Sequence, residues 1–237
     1  MRLHRFLIEE EIPKSGIILV EDRSIVHQWR KVFRLKEGDL VILFNDSGYD
    51  HTARIVGFKG KEAEVEIIDR KKEILKPGRN VHLCVSLIKK DKFEWIVEKG
   101  TELGITSFTP LISDRSLKNN LNMEKLNKIA KEATEQSGWS GVPLIHNISC
   151  IEELLDRRDK KYIILDLYAD TDLLQVLDKT NKEEQLVVLI GPEEGWSDEE
   201  LSLFKKHSVT FATLGKETLK TETAAVAAAS ISMLLTS

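Results

Sequence analysis

Leu186-Val187-Val188-Leu189-Ile190-Gly191-Pro192-Glu193-Glu194-Gly195-Trp196-Ser197-Asp198-Glu199-Glu200 is the stretch from which the fold is most directly read. Five consecutive apolar residues ending at a Gly-Pro pair predict a strand buried on both faces, as strands of a parallel sheet are. Ser197 followed three residues later by Glu200 is a capping box, so a helix starts there. Strand, loop and helix thus follow within fifteen residues. Gly191 and Gly195 let the backbone of that loop approach a neighbour closely, which suits either a tight turn or a ligand loop.

The same grammar continues outward. Apolar runs Val81 to Ile88, Ile105 to Ile112, Tyr162 to Leu167 and Val209 to Leu214 alternate with helical patterns at Asp91 to Leu103 and Asn122 to Gln136. That alternation predicts a mostly parallel sheet with helices on both faces. Residues 1–72 read differently. Leu3 to Ile8 is a strand, Asp22 or Ser24 caps a helix carrying Ile25, Trp29, Val32 and Phe33, and Lys36 to Asp39 is a turn. Val41 to Phe44, Thr52 to Phe58 and Ala63 to Ile68 are short strands between glycines, the pattern of a small β-barrel. The charged stretch Lys71 to Asn80 contains Pro77-Gly78 and lacks periodicity, which places the domain boundary at residues 72/73.

Ligands of open α/β sheets bind at the carboxyl ends of strands. Besides the Gly191 loop, this points to Leu214-Gly215-Lys216-Glu217-Thr218-Leu219-Lys220-Thr221-Glu222-Thr223-Ala224. Thr221 or Thr223 caps the last helix, and the alanines after it permit close packing against another backbone. The chain has no G-x-G-x-x-G after a first strand, no G-x-x-x-x-G-K-[ST] and no G-x-S-x-G, which disfavours the common dinucleotide, P-loop and hydrolase sites.

Bulk properties bound the rest. With 41% hydrophobic and 31% charged residues the 237-residue chain is ordinary for a globular protein of two modest domains. Ala224 to Leu235 is interrupted by Ser230 and Ser232, too short and too weakly apolar to span a bilayer. Met1 to Arg5 leads into few apolar residues before Glu9-Glu10-Glu11, so no signal peptide and a cytoplasmic address are expected. Cys84 and Cys150 read as buried thiols, and the six histidines lack metal-ligand spacing, so no metal is inferred. Net charge is -4, yet residues 1–72 hold 14 Lys and Arg against 13 Asp and Glu. The balance permits a local basic patch without demanding one.

Together the two loops resemble the SPOUT methyltransferases, specifically the 16S rRNA (uracil-N3)-methyltransferase family. Leu189 to Ser197 is similar to that family's L-I-G-P-E-G-G-[FL]-S, and Leu214-Gly215 with Thr221 to Ala224 to its L-G-x-R-I-L-R-T-E-T-A. Lys99-Gly100-Thr101-Glu102-Leu103-Gly104, Pro110 and Ser113-Asp114-Arg115-Ser116 resemble further elements. So do His4-Arg5-Phe6, His27 to Arg34 and Gly38-Asp39 in front, and the five motifs stand in the family's order across nearly the whole chain.

The resemblance implies an α/β protein with a PUA-like, RNA-binding β-barrel over residues 1–72. Over 73–237 it implies a SPOUT domain whose C-terminal segment is threaded into a trefoil knot. It implies S-adenosyl-L-methionine as cofactor, contacted at Leu165, Ile190, Gly191, Pro192, Glu193, Gly195, Leu214, Gly215, Leu219, Thr221 and Ala224. The partners it implies are 16S rRNA or the small ribosomal subunit and a second copy of the chain, in a homodimer that includes the last helix. Glu222 is the carboxylate expected to take a proton from the base, or else to organise its loop. Lys220 is the cation expected to stabilise charge on the uracil oxygens. Arg5, Arg30, Arg34, Lys99, Arg115 and Trp139 are the expected RNA contacts. Glu132-Ala133 with Glu135 to Pro143 resembles the family's E-A-x-E-Q-S-G-R-x-R-V-P, with Trp139 and Gly141 in place of its arginines; Glu217 stands at another expected arginine and Lys220 replaces one more. Two functions therefore stay open: methylation of N3 of a specific uridine in 16S rRNA, or an RNA-binding or ribosome-assembly factor with altered target or weak catalysis.

Overall fold

The computed structural model describes residues 3–45, 47–72, 77–118, 120–155, 160–181 and 185–234. The chain divides into two compact units, 1–76 with 134–141, and 77–133 with 142–237. The boundary segment 73–76 and the tail 235–237 lie outside the described residues, as does Arg2.

In the first unit β1 (Arg5–Leu7) and β2 (Gly16–Val20) precede a short α1 (Arg23–His27). A π-helical turn over Gln28–Val32 follows, then β3 (Leu40–Phe44), β4 (Tyr49–Lys59) and β5 (Glu62–Lys72). The strand order is β1-β3-β4-β5-β2, with β1 parallel to β3 and the other pairs antiparallel. Gly60, at φ +63°, turns β4 into β5 within two residues, a conformation that glycine adopts without steric cost. Alternation decides the core: Ala63, Val65 and Ile67 of β5 are buried beside Val41, Leu43, Ala53, Ile55, Phe6 and Trp29, while Glu64 and Glu66 face outward.

Asp22 caps α1 as expected, its carboxylate accepting from the amides of Ser24 and Ile25. The helical spacing fails beyond it. Ile25, Val26 and Trp29 are buried, but Val32 and Phe33 are exposed. The Phe33 amide donates to the Gln28 carbonyl, and this five-residue spacing turns the next side chains off the core-facing stripe. Strand β2 was not legible, because its burial pattern leaves Ile17 and Leu19 exposed on a sheet edge.

The second unit opens with β6 (Val81–Ser86), α2 (Lys90–Glu102), β7 (Ser107–Ile112) and α3 (Met123–Ser137). The short β8 (Leu144–Ile145), β9 (Ser149–Cys150) and α4 (Ile151–Leu155) follow. Then come β10 (Lys161–Leu165), α5 (Leu173–Asp178), β11 (Leu186–Ile190), α6 (Asp198–Lys206), β12 (Thr210–Ala212) and α7 (Thr221–Leu234). The sheet order is β12-β10-β11-β6-β7-β8, with β9 also on β7, and every pairing is parallel. This is the parallel α/β architecture that the alternation predicts.

Burial on both faces explains the uninterrupted apolar runs. Leu186, Val188 and Ile190 of β11 pack with α2, α5 and α7, whereas Val187 and Leu189 pack with α4 and α6. Cys84 is fully buried, and burial pushes its thiol far above the ordinary range; Cys150 is half-buried. The alanines of α7 have an internal use: Ala225, Ala228 and Ala229 sit in the core, and α7 packs closely on α2. No helix among the described residues is long and apolar enough to cross a membrane.

Segment Thr134–Gly141 belongs with the first unit although it follows β5 by more than sixty residues. The Glu135 carboxylate accepts from the Leu7 amide at 2.9 Å, and the Trp139 carbonyl accepts from the Arg5 guanidinium at 3.3 Å. A split at a single position does not describe such a chain.

Candidate functional site

The sheet order sets β12, β10 and β11 side by side, so Ala212, Leu165 and Ile190 end at one edge and the three loops after them face one another. Between the loops lies a cavity of about 570 Å³, within the range of small-molecule sites. Leu165, Ile190, Gly191, Pro192, Glu193, Gly195, Leu214, Gly215, Leu219, Thr221 and Ala224, the eleven expected cofactor contacts, all line it.

Three hydrogen bonds and one ring contact define its walls. The Trp196 indole N–H donates to the Leu165 carbonyl at 3.0 Å, which ties the β11 loop to the end of β10. The same ring covers Gly191, where a Cβ would come within 3.0 Å of Trp196 Cε2. The Thr221 hydroxyl donates to the Gly191 carbonyl at 3.1 Å, which fixes the start of α7 to that loop. Across the cavity Thr213 Oγ1 donates to the Gly215 carbonyl at 2.7 Å, and Gly215 adopts φ +143°.

The Ser113 to Ser116 segment braces the β11 loop from behind. Arg115 Nη1 donates to the carbonyls of Glu194 at 2.8 Å and Trp196 at 3.3 Å. Ser197 caps α6 by accepting from the Glu200 amide. The buried Glu200 carboxylate in turn accepts from the amides of Ser197 and Asp114, at 2.8 and 2.9 Å. The predicted capping box is therefore present and reaches further, since one carboxylate binds two segments.

The expected catalytic pair is placed elsewhere. Neither Glu222 nor Lys220 lines the cavity. Glu222 is buried against α2, with Lys92 Nζ 3.4 Å from its carboxylate, and Lys220 is exposed, its carbonyl accepting from the Ala224 amide. The reason is helical phase. Each residue advances about 100°, so Thr221 and Ala224 share the cavity face while Glu222 is turned away from both. Thr221 also spends its hydroxyl on Gly191 rather than on a cap.

The expected RNA contacts separate likewise. Arg5 is buried, its guanidinium 2.7 Å from Asp50 and stacked 4.0 Å over the Phe44 ring, so it braces the fold. Lys99 lies 2.8 Å from both Glu98 and Glu102, whose carboxylates raise its pKa. Trp139 is half-buried. Arg30 and Arg34 are exposed; Arg30 lies 5.5 Å over the Phe58 ring and donates to the Gly60 carbonyl. Arg34 sits at φ +55°, ending the π-helical turn.

Sequence reasoning missed Asp166, Leu167, Tyr168, Glu194, Trp196, Asp198, Leu201, Thr213 and Thr218, all in the cavity wall with Arg115 and Glu217. Asp166 and Leu167 fall inside the predicted run Tyr162 to Leu167, which the structure ends at Leu165, and Tyr168 directly follows that run. Five carboxylates against one guanidinium make the wall acidic, which favours a cationic small molecule over a phosphate-bearing one.

The family model of the RNA methyltransferase domain matches residues 76–233. A ribosomal RNA small subunit methyltransferase E of Synechocystis sp. is 30% identical over 96% of this chain and 76% of its own length. The Bacillus subtilis protein of that name is 28% identical over 94% and 93%. The crystal structure of a ribosomal RNA small subunit methyltransferase E from Neisseria gonorrhoeae, bound to S-adenosyl methionine, superposes with a TM-score of 0.89 at 28% identity. It covers 99% of this chain and 98% of that one. With the family model spanning nearly all of the second unit and such relatives aligned along almost the full chain, this protein belongs to the RNA methyltransferase family that contains the small-subunit ribosomal RNA methyltransferases E.

Proposed function

We propose that this chain transfers the methyl group of S-adenosyl-L-methionine to N3 of a uridine in 16S rRNA. The observation that carries the reading is the convergence of all eleven expected cofactor positions on one cavity at the carboxyl ends of β10, β11 and β12. The residues suit that cofactor. Asp166, Glu193, Glu194, Asp198 and Glu217 favour a sulfonium cation, Leu165, Ile190 and Leu214 offer apolar surface, and Gly191 and Gly215 keep side chains out of the way. When bound, the cofactor supplies an electrophilic methyl group for in-line displacement. The chain's own part is positioning: Trp196, Thr221 and Arg115 hold the loops before the acceptor arrives, so little ordering remains for the reactive complex. Uridine N3 takes part in base pairing, so the acceptor base must be unpaired or flipped out.

Glu222 and Lys220 have no place in the cavity wall. Glu222→Gln and Lys220→Ala are therefore expected to leave cofactor affinity and single-turnover methyl transfer within a few-fold of the parent; a hundredfold loss of rate in either would return that residue to the reaction.

Labelled methyl incorporation into 16S rRNA and into small subunits, with mass spectrometry of the nucleosides, tests the proposal. The expected product is 3-methyluridine at one position. Cofactor binding without incorporation would instead favour an RNA-binding or assembly role. That second reading draws on Glu217, which puts a carboxylate into the cavity wall where the family has a cation. If Glu217 merely weakens the site, Glu217→Arg raises methyl transfer or RNA affinity; no change in either would mean the carboxylate has its own use there, as in favouring the sulfonium cation.

Further parts of the reading rest on the resemblance. The first unit is a PUA-like RNA-binding module, with Arg30 and Arg34 as its exposed cations. The chain forms a homodimer in the cytoplasm, and its C-terminal segment is knotted. The knot is supported by the path from β12 at the sheet edge to α7, which packs on β6 and β11 in the middle and bonds the β11 loop through Thr221.

A further inference from the structure

The cavity mouth carries an aromatic side chain that the described residues leave uncovered. Tyr168 lines the cavity yet is 87% exposed, the largest value among the exposed large hydrophobics, and Leu167 and Leu219 beside the same cavity are 39% and 38% exposed. Its backbone is held: the Tyr168 amide donates to Asp166 Oδ1 at 3.3 Å, the Ala169 amide donates to the Asp166 carbonyl at 3.3 Å, and the Asp166 amide donates to the Ala212 carbonyl at 2.9 Å. A large apolar ring on a fixed turn, left in water, loses hydrophobic free energy that a partner would recover.

Charge selects the partner. The cavity wall has five carboxylates and one guanidinium, and that guanidinium is engaged by the Glu194 and Trp196 carbonyls. Phosphates are repelled from such a rim. What an RNA strand can bring to it is a neutral, planar base extended from the backbone, and aromatic rings bind single-stranded bases by stacking.

We propose that Tyr168 is the platform on which the acceptor base stacks at the mouth of the cavity, with Leu167 and Leu219 as its apolar flanks. The inference rests on the methyltransferase reading above. Stacking needs a ring and no hydroxyl, so the three substitutions Tyr168→Phe, Tyr168→Leu and Tyr168→Ala separate it from other roles.

The test is methyl transfer to 16S rRNA by the full chain, with KM for RNA and kcat read separately, cofactor affinity by calorimetry and mass by sedimentation. Tyr168→Phe is expected to match the parent. Tyr168→Leu and Tyr168→Ala are expected to raise KM for RNA about 10-fold or more, the loss of one stacked base, with cofactor affinity and mass unchanged. Four results overturn the inference: KM unchanged in Tyr168→Ala; Leu as good as Phe; cofactor affinity falling in step with activity, which makes Tyr168 a cofactor contact; or a change of mass, which makes it a contact between copies. A parent protein that binds cofactor but methylates no RNA would defeat the methyltransferase reading instead. Binding of a short uridine-containing single strand, weakened by Tyr168→Ala and restored by Tyr168→Phe, would then still support the platform, and its absence would overturn it.

Discussion

Gly191→Ala is expected to reduce S-adenosyl-L-methionine affinity roughly tenfold in a protein that still folds. The added Cβ would stand 3.0 Å from Trp196 Cε2 and 3.1 Å from Nε1, so the ring must give by a few tenths of an ångström. That shift strains the ring's bond to the Leu165 carbonyl, which ties the wall between β10 and β11. Overpacking costs about 1–3 kcal/mol, and each 1.4 kcal/mol is about tenfold in affinity. Gly195 and Gly215 make graded controls. At Gly195 nothing lies within 4 Å of a new Cβ, so alanine meets only the cost of φ +72°, about 1–2 kcal/mol. At Gly215 a Cβ would come 3.3 Å from the flexible Glu217 carboxylate, at φ +143°. Calorimetry on the three variants, with circular dichroism to check folding, reads the order directly. Undiminished affinity in Gly191→Ala would show that the Trp196 ring does not set the cavity wall.

Glu200→Ala is expected to cost about 2–4 kcal/mol of folding stability and to lower cofactor affinity as well. Its carboxylate accepts from the Ser197 and Asp114 amides, one fully and one partly buried. Leaving such donors unpaired costs about 1–3 kcal/mol each, less where water reaches the partly buried one, and the Ser197 bond is itself the reciprocal half of the capping box. The cofactor effect follows because Asp114 adjoins Arg115, whose guanidinium holds the Glu194 and Trp196 carbonyls. Glu200→Gln keeps one acceptor oxygen and should lose roughly half as much. Urea unfolding with a common m-value measures the first effect. A Glu200→Ala protein as stable as the parent would mean that water replaces the carboxylate, and the proposed link between the two segments would fail.

These variants follow from contacts that the sequence shows only in part. Its buried runs, strand-to-loop glycines and the Ser197 to Glu200 box read correctly because each depends on residues close along the chain. The parallel sheet was legible because strands buried on both faces are apolar at every position, as Val81–Ser86 and Leu186–Ile190 are. Edge and short elements were not: β2 keeps its apolar residues exposed, and β8 and β9 are two residues each. The cofactor positions came through resemblance, and the chain's own pattern by itself left those loops open between turn and site.

The sequence by itself determined which segments form strands of a parallel sheet and which glycines end them, since burial on both faces and local backbone freedom follow from short-range pattern, whereas the strand order that brings the loops together came from the tertiary structure. Only the tertiary structure decided which side chains face the cavity. A helix start misjudged by one residue rotates every side chain by about 100°, and that is the difference between Thr221 in the wall and Glu222 beside Lys92. Only the tertiary structure, too, showed that Arg5 and Arg115 are braces, that residues 134–141 return to the first unit, and that Tyr168 stands uncovered. Each of these depends on partners distant in the chain, and a residue's type fixes what it can bond, not what the fold will bring to it.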